Sequence, residues 1–252
     1  MGIEGKVALV TGGSGGLGRV HSLSLAKAGC NIAVTGHIHL EKAEAVAKEI
    51  QAMGRKAIAV KMNLADLDEV RNGIKKAEEA LGPVDILVNN AAFGIVRAVT
   101  LVNMDKKDWD QDLSVNLTGA FNTIKCCMSG MVERGWGRII NISSIAGTMG
   151  GMGQCSYATT KAGLIGLTKT VALEGARKGV TCNAIVLGVF DGGSFYEVAP
   201  EFRERIIKRM AMRRAGDPQE LSNVLVFLAS EESSYVTGET IEVSGGANLF
   251  TF

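Results

Sequence analysis

The stretch Val7-Ala-Leu-Val-Thr-Gly-Gly-Ser-Gly-Gly-Leu-Gly18 decides how this chain folds. Its first four residues form a short apolar run typical of a buried strand, and they lead directly into a glycine-rich turn. Residues 19–28 follow with the spacing of a helix. A strand, a glycine-rich turn and a helix in this order are typical of the start of a doubly wound α/β sheet.

The turn over residues 11–18 has the composition of a phosphate-binding loop. Glycines permit the tight turn and let the backbone approach a pyrophosphate, while the free N–H groups and the dipole of the following helix favour an anion. A glycine-rich turn without a ligand is the alternative, but the strand before it and the helix after it favour phosphate binding. The residues we expect to contact a dinucleotide here are Gly12, Ser14, Gly16, Leu17 and Gly18.

Short apolar runs rich in β-branched residues recur along the rest of the chain. They cover residues 6–11, 31–35, 56–62, 85–90, 138–143, 181–186 and 240–243. Helical spacing separates them, as over residues 40–53 and 67–81. Runs that are apolar throughout are expected of parallel strands covered by helices on both faces. The sequence therefore predicts one Rossmann-like domain over residues 1–252, an α/β fold with a doubly wound parallel sheet of about seven strands.

Composition excludes several classes of partner. The 252 residues carry a formal net charge of +1 with both signs interspersed, which argues against nucleic acid and anionic membrane as partners. The five cysteines have no C-x-x-C spacing, so neither a disulfide framework nor a metal site is indicated. Reduced thiols and the lack of a visible targeting segment predict a cytoplasmic protein.

The end of the second predicted strand bears on the choice between NAD and NADP. An acidic residue there would hold the ribose hydroxyls of NAD and repel the extra phosphate of NADP. This sequence has Val34-Thr-Gly-His37 instead, and His37 can donate a hydrogen bond to a phosphate. His37 can also be a plain solvated loop residue, and no arginine accompanies it. We expect NADP(H) as the cofactor, with NAD(H) as the alternative.

Further motifs follow the glycine loop in a fixed order: Asn89-Asn-Ala-Ala92, Asn116, Ser143-Ser144 and Tyr157-Ala-Thr-Thr-Lys161. In order and spacing they resemble the short-chain dehydrogenase/reductase family, and the resemblance spans nearly the whole chain. The stretches at residues 161–167, 227–230 and 235–241 look most like the branch of 3-oxoacyl-acyl-carrier-protein reductases.

The resemblance implies hydride transfer between a nicotinamide ring and a ketone or secondary alcohol, with a 3-oxoacyl thioester as one candidate substrate. It implies that Tyr157 is the general acid/base, that Lys161 and Ser144 assist it, and that Asn116 supports Lys161 through a water. Chemistry agrees, because a tyrosine with a reference pKa of about 10 needs a nearby cation to favour phenolate, and residues four apart share a helix face. Ser143 is the rival to Ser144, and the family spacing favours Ser144.

The resemblance also extends the expected cofactor site to Asn63, Leu64, Asn90, Ala91 and Gly188, together with Tyr157 and Lys161. The chain departs from the family pattern at Ala92 and Asn63, where Gly and Asp are usual, and at Leu187 and Gly192, where Pro and Thr are usual. Because the last two bear on nicotinamide orientation, a low-activity cofactor-binding subunit is one alternative to an active enzyme. An NAD-dependent alcohol, steroid or sugar dehydrogenase is another.

Two further expectations concern the substrate lid and the assembly. Residues 189–214 are expected to cover the active site, and their basic residues either meet an anionic carrier or form the solvated face of a helix, which is the favoured interpretation. Helices around residues 106–131 and 157–178 carry small residues that permit close pairing, and the apolar end 249–252 offers a second contact. We therefore expect a homotetramer.

Overall fold

The apolar runs of the sequence form the strands of one sheet in the computed structural model, which describes residues 1–95 and 97–249. The strands are β1 (Val7–Val10), β2 (Asn31–Gly36), β3 (Ala57–Lys61), β4 (Ile86–Asn89), β5 (Gly137–Ser144), β6 (Val180–Leu187) and β7 (Thr240–Val243). Their order is β3-β2-β1-β4-β5-β6-β7, and every neighbouring pair is parallel. This confirms the doubly wound, seven-stranded sheet that the sequence predicts.

Helices cover both faces of the sheet, as continuously apolar strands require. They are α1 (Gly16–Lys27), α2 (Leu40–Ala52), α3 (Leu67–Leu81), α4 (Lys106–Leu113), α5 (Gly119–Arg134), α6 (Ile145–Met149), α7 (Cys155–Gly175), α8 (Pro200–Arg209) and α9 (Pro218–Ala229). One core cluster lies between the sheet and α1, α2 and α9. A second lies on the opposite face, between the sheet and α3, α5 and α7.

The position of the active site follows from the strand order. The chain runs outward from β1 to β3 and then returns to place β4 on the other side of β1. The loops that follow β1 and β4 therefore turn away from each other and leave a crevice at the carboxyl ends of these strands. The crevice is where the residues singled out in the sequence are expected to meet.

The helix predicted over residues 106–131 is interrupted. It consists of α4 and α5 joined by a π-helical turn over Ser114–Thr118, which contains Asn116. A π-helical turn adds a single residue to one turn of the helix, and this changes the spacing of the apolar residues too little to be seen in the sequence. The helix predicted over 157–178 begins two residues earlier, and a 3₁₀ turn over Ala176–Lys178 follows its end at Gly175.

None of the helices within the described ranges has the length and apolarity needed to cross a membrane. Residues 250–252, which the sequence analysis assigns to a subunit contact, lie outside the described residues.

His21 is buried where α1 packs against α9. Its Nδ1 lies 2.8 Å from the Ser222 hydroxyl, which itself donates to the Pro218 carbonyl at 3.0 Å, so the imidazole is the donor at Nδ1. Nε2 has no hydrogen-bond partner within the described residues. Burial lowers the pKa of His21 to about 4, because an imidazolium at this position would lose its water.

We expect the lowered pKa of His21 to make folding stability depend on pH. Between about pH 6.5 and pH 4 the unfolded chain binds a proton that the folded chain does not, so stability falls as pH falls through this window. The loss between pH 7 and pH 5 should be about 2 kcal/mol. Urea unfolding of the wild type and of His21→Leu at the two pH values measures it. The leucine variant should lack this part of the pH dependence, and equal slopes would contradict the assignment.

Candidate active site

A cleft of about 860 Å³ opens at the carboxyl ends of the central strands. One half is formed by the glycine loop after β1 and by the loop after β4. The other half is formed by Ser144, by Tyr157 and Lys161 of α7, and by the segment after β6. The cleft therefore joins the predicted dinucleotide loop to the predicted proton-transfer residues.

The glycine loop is held tightly at Gly18. A Cβ atom there would lie 2.1 Å from the Gly12 carbonyl oxygen and 2.6 Å from Asn90 Nδ2, so no side chain fits. Helix α1 has no side-chain cap and no acidic residue in its first turn. Its first N–H groups are thus free for an anion, which the helix dipole also favours. These observations fit the pyrophosphate of a dinucleotide.

The expected cofactor residues fall into two groups. Those that line the cleft are Gly12, Gly16, Leu17, Gly18, Asn90, Ala91, Tyr157, Lys161 and Gly188. Those outside its walls are Ser14, His37, Asn63 and Leu64. His37, Asn63 and Leu64 follow β2 and β3, so they extend the same edge of the sheet beyond the glycine loop.

Local contacts describe two of these outlying residues. The Asn63 side chain accepts from the Ala65 N–H at 3.2 Å, and the buried Leu64 has its carbonyl bonded to Asn122 at 2.9 Å. His37 is solvent-exposed.

Ser144 and Tyr157 lie together at the inner end of the cleft. Ser144 ends β5, accepts from the Ala146 N–H at 3.2 Å as the cap of α6, and lines the cleft together with Tyr157, whose pKa its side chain lowers. Ser143 points elsewhere, because its hydroxyl is fully buried and donates to the Lys161 carbonyl at 2.7 Å. The geometry thus favours Ser144 over Ser143 as the partner of Tyr157.

Burial sets the protonation of Tyr157 and Lys161. It raises the pKa of Tyr157 to about 12, against the smaller opposing effect of the Ser144 side chain. It lowers the pKa of Lys161 to about 8. The Lys161 ammonium donates to the Ile142 carbonyl at 2.7 Å and lies 5.5 Å from the centre of the Tyr157 ring.

Lys161, four residues after Tyr157, is expected from the sequence to favour the phenolate, but burial has the larger effect on the pKa of Tyr157 in the structure. Tyr157 therefore keeps its proton near neutral pH and is ready to donate it.

Asn116 connects the loop after β4 to α7. Its Oδ1 accepts from the Phe93 N–H at 2.7 Å, and its Nδ2 donates to the Phe93 carbonyl at 3.0 Å and to Thr160 Oγ1 at 3.3 Å. π-helical turns such as the one that contains Asn116 occur often at functional sites. Because Thr160 directly precedes Lys161, this hydrogen bond places Asn116 beside the backbone of the lysine. The water that is expected to link Asn116 to Lys161 stays a prediction.

The outer part of the cleft is mostly apolar. Its apolar walls include Ile95, Met149, Met152, Phe190, Phe195, Val198, Ile206 and Met210. Most of these belong to the predicted lid segment 189–214, while Ile95 and the two methionines were not singled out in the sequence. Met149 and Met152 are exposed. Their position between Ser144 and Tyr157 in the sequence could have indicated that they lie at the cleft.

Two of the six basic residues of the lid segment have acidic partners close by in the sequence. Lys208 pairs with Glu204 at 2.6 Å, and Arg214 pairs with Glu220 at 2.7 Å. Arg209, by contrast, lines the cleft. These ion pairs match the favoured interpretation of this cluster as a solvated helix face, with Arg209 as an exception at the cleft.

Comparison with known proteins shows the family of the chain. The model of the family described as short chain dehydrogenase matches residues 6–201. The chain belongs to this family. It is an oxidoreductase that acts on CH–OH and C=O groups with a nicotinamide dinucleotide as hydride carrier.

Particular relatives match over nearly their whole length. The chain is 42% identical over 241 residues to a 3-oxoacyl-[acyl-carrier-protein] reductase of Staphylococcus aureus, covering 96% of this chain and 97% of that protein. Nodulation protein G of Azospirillum brasilense is 42% identical over 243 residues, covering 96% and 98%. A crystal structure named for a proposed gluconate dehydrogenase of Agrobacterium tumefaciens superposes with a TM-score of 0.94 at 32% identity, covering 99% and 98%.

Proposed function

We propose that this protein reduces the 3-oxo group of acyl thioesters with NADPH. The observation that carries the proposal is the position of Tyr157, which is buried beside Ser144 at the junction of a glycine-rich dinucleotide loop and an apolar-walled cleft. An apolar wall suits an acyl chain, and the similarity to 3-oxoacyl-[acyl-carrier-protein] reductases supports the same substrate class.

The active-site residues divide the work of carbonyl reduction. The bound nicotinamide supplies the hydride. As the carbonyl oxygen becomes an alkoxide, Tyr157 Oη donates its proton to it and the Ser144 hydroxyl donates a hydrogen bond to it. The Lys161 ammonium, held by the Ile142 carbonyl, then stabilises the phenolate left on Tyr157. A pKa of about 12 keeps Tyr157 in the proton-donating form that carbonyl reduction uses.

The preference for NADP(H) over NAD(H) and the cytoplasmic location are proposed from the residues of the chain. NADP(H) is proposed because no carboxylate directly follows β2, where His37 stands instead.

A cytoplasmic location is proposed because all five cysteines are free, and burial raises the pKa values of the Cys30, Cys127 and Cys182 thiols. Cysteines that form no disulfide are typical of proteins in a reducing compartment such as the cytosol.

A homotetramer is proposed from the surfaces of α5 and α7. Phe121 on α5 is 47% exposed and Leu173 on α7 is 81% exposed. Ala162 and Gly166 on α7 are exposed as well, and nothing lies within 4 Å of the position that a Cβ of Gly166 would take. Parts of both helix surfaces are therefore available to a second subunit. Small and apolar residues on one exposed surface suit an isologous helix pair.

Substitution of Tyr157 by Phe should lower kcat by about 10²- to 10⁴-fold, because it removes the proton donor and keeps the ring. Cofactor affinity should change little. Reduction of a panel of 3-oxoacyl thioesters and simple ketones, followed at the nicotinamide absorbance, measures the effect. Tyr235→Phe makes the same change at a fully exposed position and should leave kcat unaltered. Near-normal kcat in Tyr157→Phe would contradict the proposal. Turnover of sugar or steroid substrates alone would show that acyl thioesters are not the substrate class.

Substitution of His37 by Asp should shift the ratio of kcat/KM toward NADH by about fivefold, since an exposed carboxylate weakly repels the 2′-phosphate. Steady-state kinetics with both cofactors measure the shift. His39→Asp introduces the same charge at an exposed site two residues further on and should alter the ratio less. Equal effects of the two substitutions would show that position 37 does not contact the phosphate.

Light scattering at micromolar concentration should give four times the mass of the 26.5 kDa chain. Substitution of Phe121 by Glu should reduce this mass, because a buried unpaired charge disfavours the helix interface. A wild-type mass of one chain would rule out the tetramer, and a dimer would leave a single type of interface.

A further inference from the structure

Asp112 of α4 is a fully buried carboxylate next to the active site. Its Oδ1 accepts from Arg97 Nη1 at 3.2 Å, and its Oδ2 accepts from the Ser156 hydroxyl at 2.5 Å. A buried carboxylate is unfavourable unless its oxygens are paired and hydrogen-bonded. Here both oxygens have partners, one of them charged.

The two partners belong to two different walls of the active site. Arg97 lies in the loop that follows β4, and Ser156 directly precedes Tyr157 in the first turn of α7. A negative charge at this end of a helix is also favoured by the helix dipole. Asp112 thus connects the loop after β4 with the turn that carries the proton donor.

The same loop forms part of the substrate wall. Ile95 and Gln154 both line the cleft, and Gln154 Nε2 donates to the Ile95 carbonyl at 2.8 Å. The Val99 N–H donates to the Gly153 carbonyl at 3.0 Å, just before α7. The loop is therefore attached to the start of α7 on both sides of Arg97.

Gly94 shows how closely the loop backbone approaches Asp112. A Cβ atom at Gly94 would lie 2.5 Å from each oxygen of the carboxylate, and its φ of +75° is itself unfavourable for other residues. The backbone therefore passes directly over the carboxylate, and the position of Asp112 fixes the path of the loop.

We propose that Asp112 is a positioning residue for the reaction: its carboxylate holds Arg97 and Ser156 together, and so sets the substrate wall at residues 93–95 and 97–99 against the turn that carries Tyr157. It acts through these two partners and does not touch the reacting atoms. The inference rests on the proposed function in that Tyr157 is the proton donor.

The test compares Asp112→Asn and Ser156→Ala with the wild type. Ser156→Ala leaves the ion pair between Arg97 and Asp112 intact, so it folds even if Asp112→Asn does not. Asp110→Asn is the matched control, because it makes the same change on the same helix at an exposed site.

Two measurements are made on the folded enzyme well below its melting temperature. The first measurement is steady-state kinetics with a 3-oxoacyl thioester. In Asp112→Asn and Ser156→Ala, kcat should fall by at least about tenfold and KM should rise, since small misplacements of reacting groups slow the reaction strongly. The Kd of NADPH should stay within about twofold, because the glycine loop makes no contact with Asp112. In the second, amide hydrogen exchange should be faster over residues 93–99 in both variants and unchanged in Asp110→Asn.

The outcomes separate the positioning role from the proposed function. A lower melting temperature with unchanged kcat and KM would reduce Asp112 to a stabilising residue and overturn the inference. Unchanged exchange over residues 93–99 would overturn it as well. If the wild type reduced none of the ketones offered, the proposed function would fail, and hydrogen exchange would still decide whether Asp112 holds the loop.

Discussion

The Thr11 hydroxyl holds the two halves of the sheet together at the point where the active site forms. It donates to the Val88 carbonyl at 3.2 Å and accepts from the N–H groups of Asn90 and Ala91 at 2.9 and 3.0 Å. A hydroxyl has one donor and two acceptor sites, so all of its hydrogen-bonding capacity is used. Asn90 returns the contact by donating to the Thr11 carbonyl at 2.9 Å. The glycine loop and the loop after β4 are thereby fixed relative to each other, and the cleft depends on their relation.

Below the cleft, buried polar side chains link the helices of one face to the sheet. Asn89 of β4 donates to Asn141 of β5 at 2.9 Å and accepts from Thr123 of α5 at 2.6 Å, and Asn141 donates to Thr168 of α7 at 2.8 Å. Fully satisfied networks of this kind specify one arrangement of the elements they connect. Helix α7 is thus anchored to the central strands at Thr168, about two helical turns after Lys161. The dry surroundings that raise the pKa of Tyr157 and lower that of Lys161 depend on this close packing.

The sequence predicts the sheet well because parallel strands buried on both faces leave continuous apolar runs, and because a glycine-rich turn between a strand and a helix is typical of the start of such a sheet. The nucleotide half and the pair Tyr157 and Lys161 follow from local patterns. Ser143 and Ser144 both end the same strand, and only the family spacing favours Ser144 in the sequence. In the structure the Ser143 hydroxyl donates to the Lys161 carbonyl, whereas Ser144 lines the cleft. Asp112 is hidden for another reason. It lies in the charged stretch Lys106-Lys-Asp-Trp-Asp-Gln-Asp112, which reads as a solvated helix surface, and its burial depends on Arg97 and Ser156 from distant parts of the chain.

The two halves of the cleft are built from different kinds of contact. The nucleotide half depends on the close backbone approach at Gly18 and on the Thr11 and Asn90 side chains that bond to backbone groups. In the substrate half, the side chains of Asn116 and Gln154 fasten the loop after β4. Evolution can therefore change the two halves at different rates. Exchanging a side chain at the outer wall alters which molecule fits while the sheet remains intact, but almost any addition at Gly18 collides with the backbone of Gly12. One scaffold can in this way acquire new substrates while it keeps a single hydride donor.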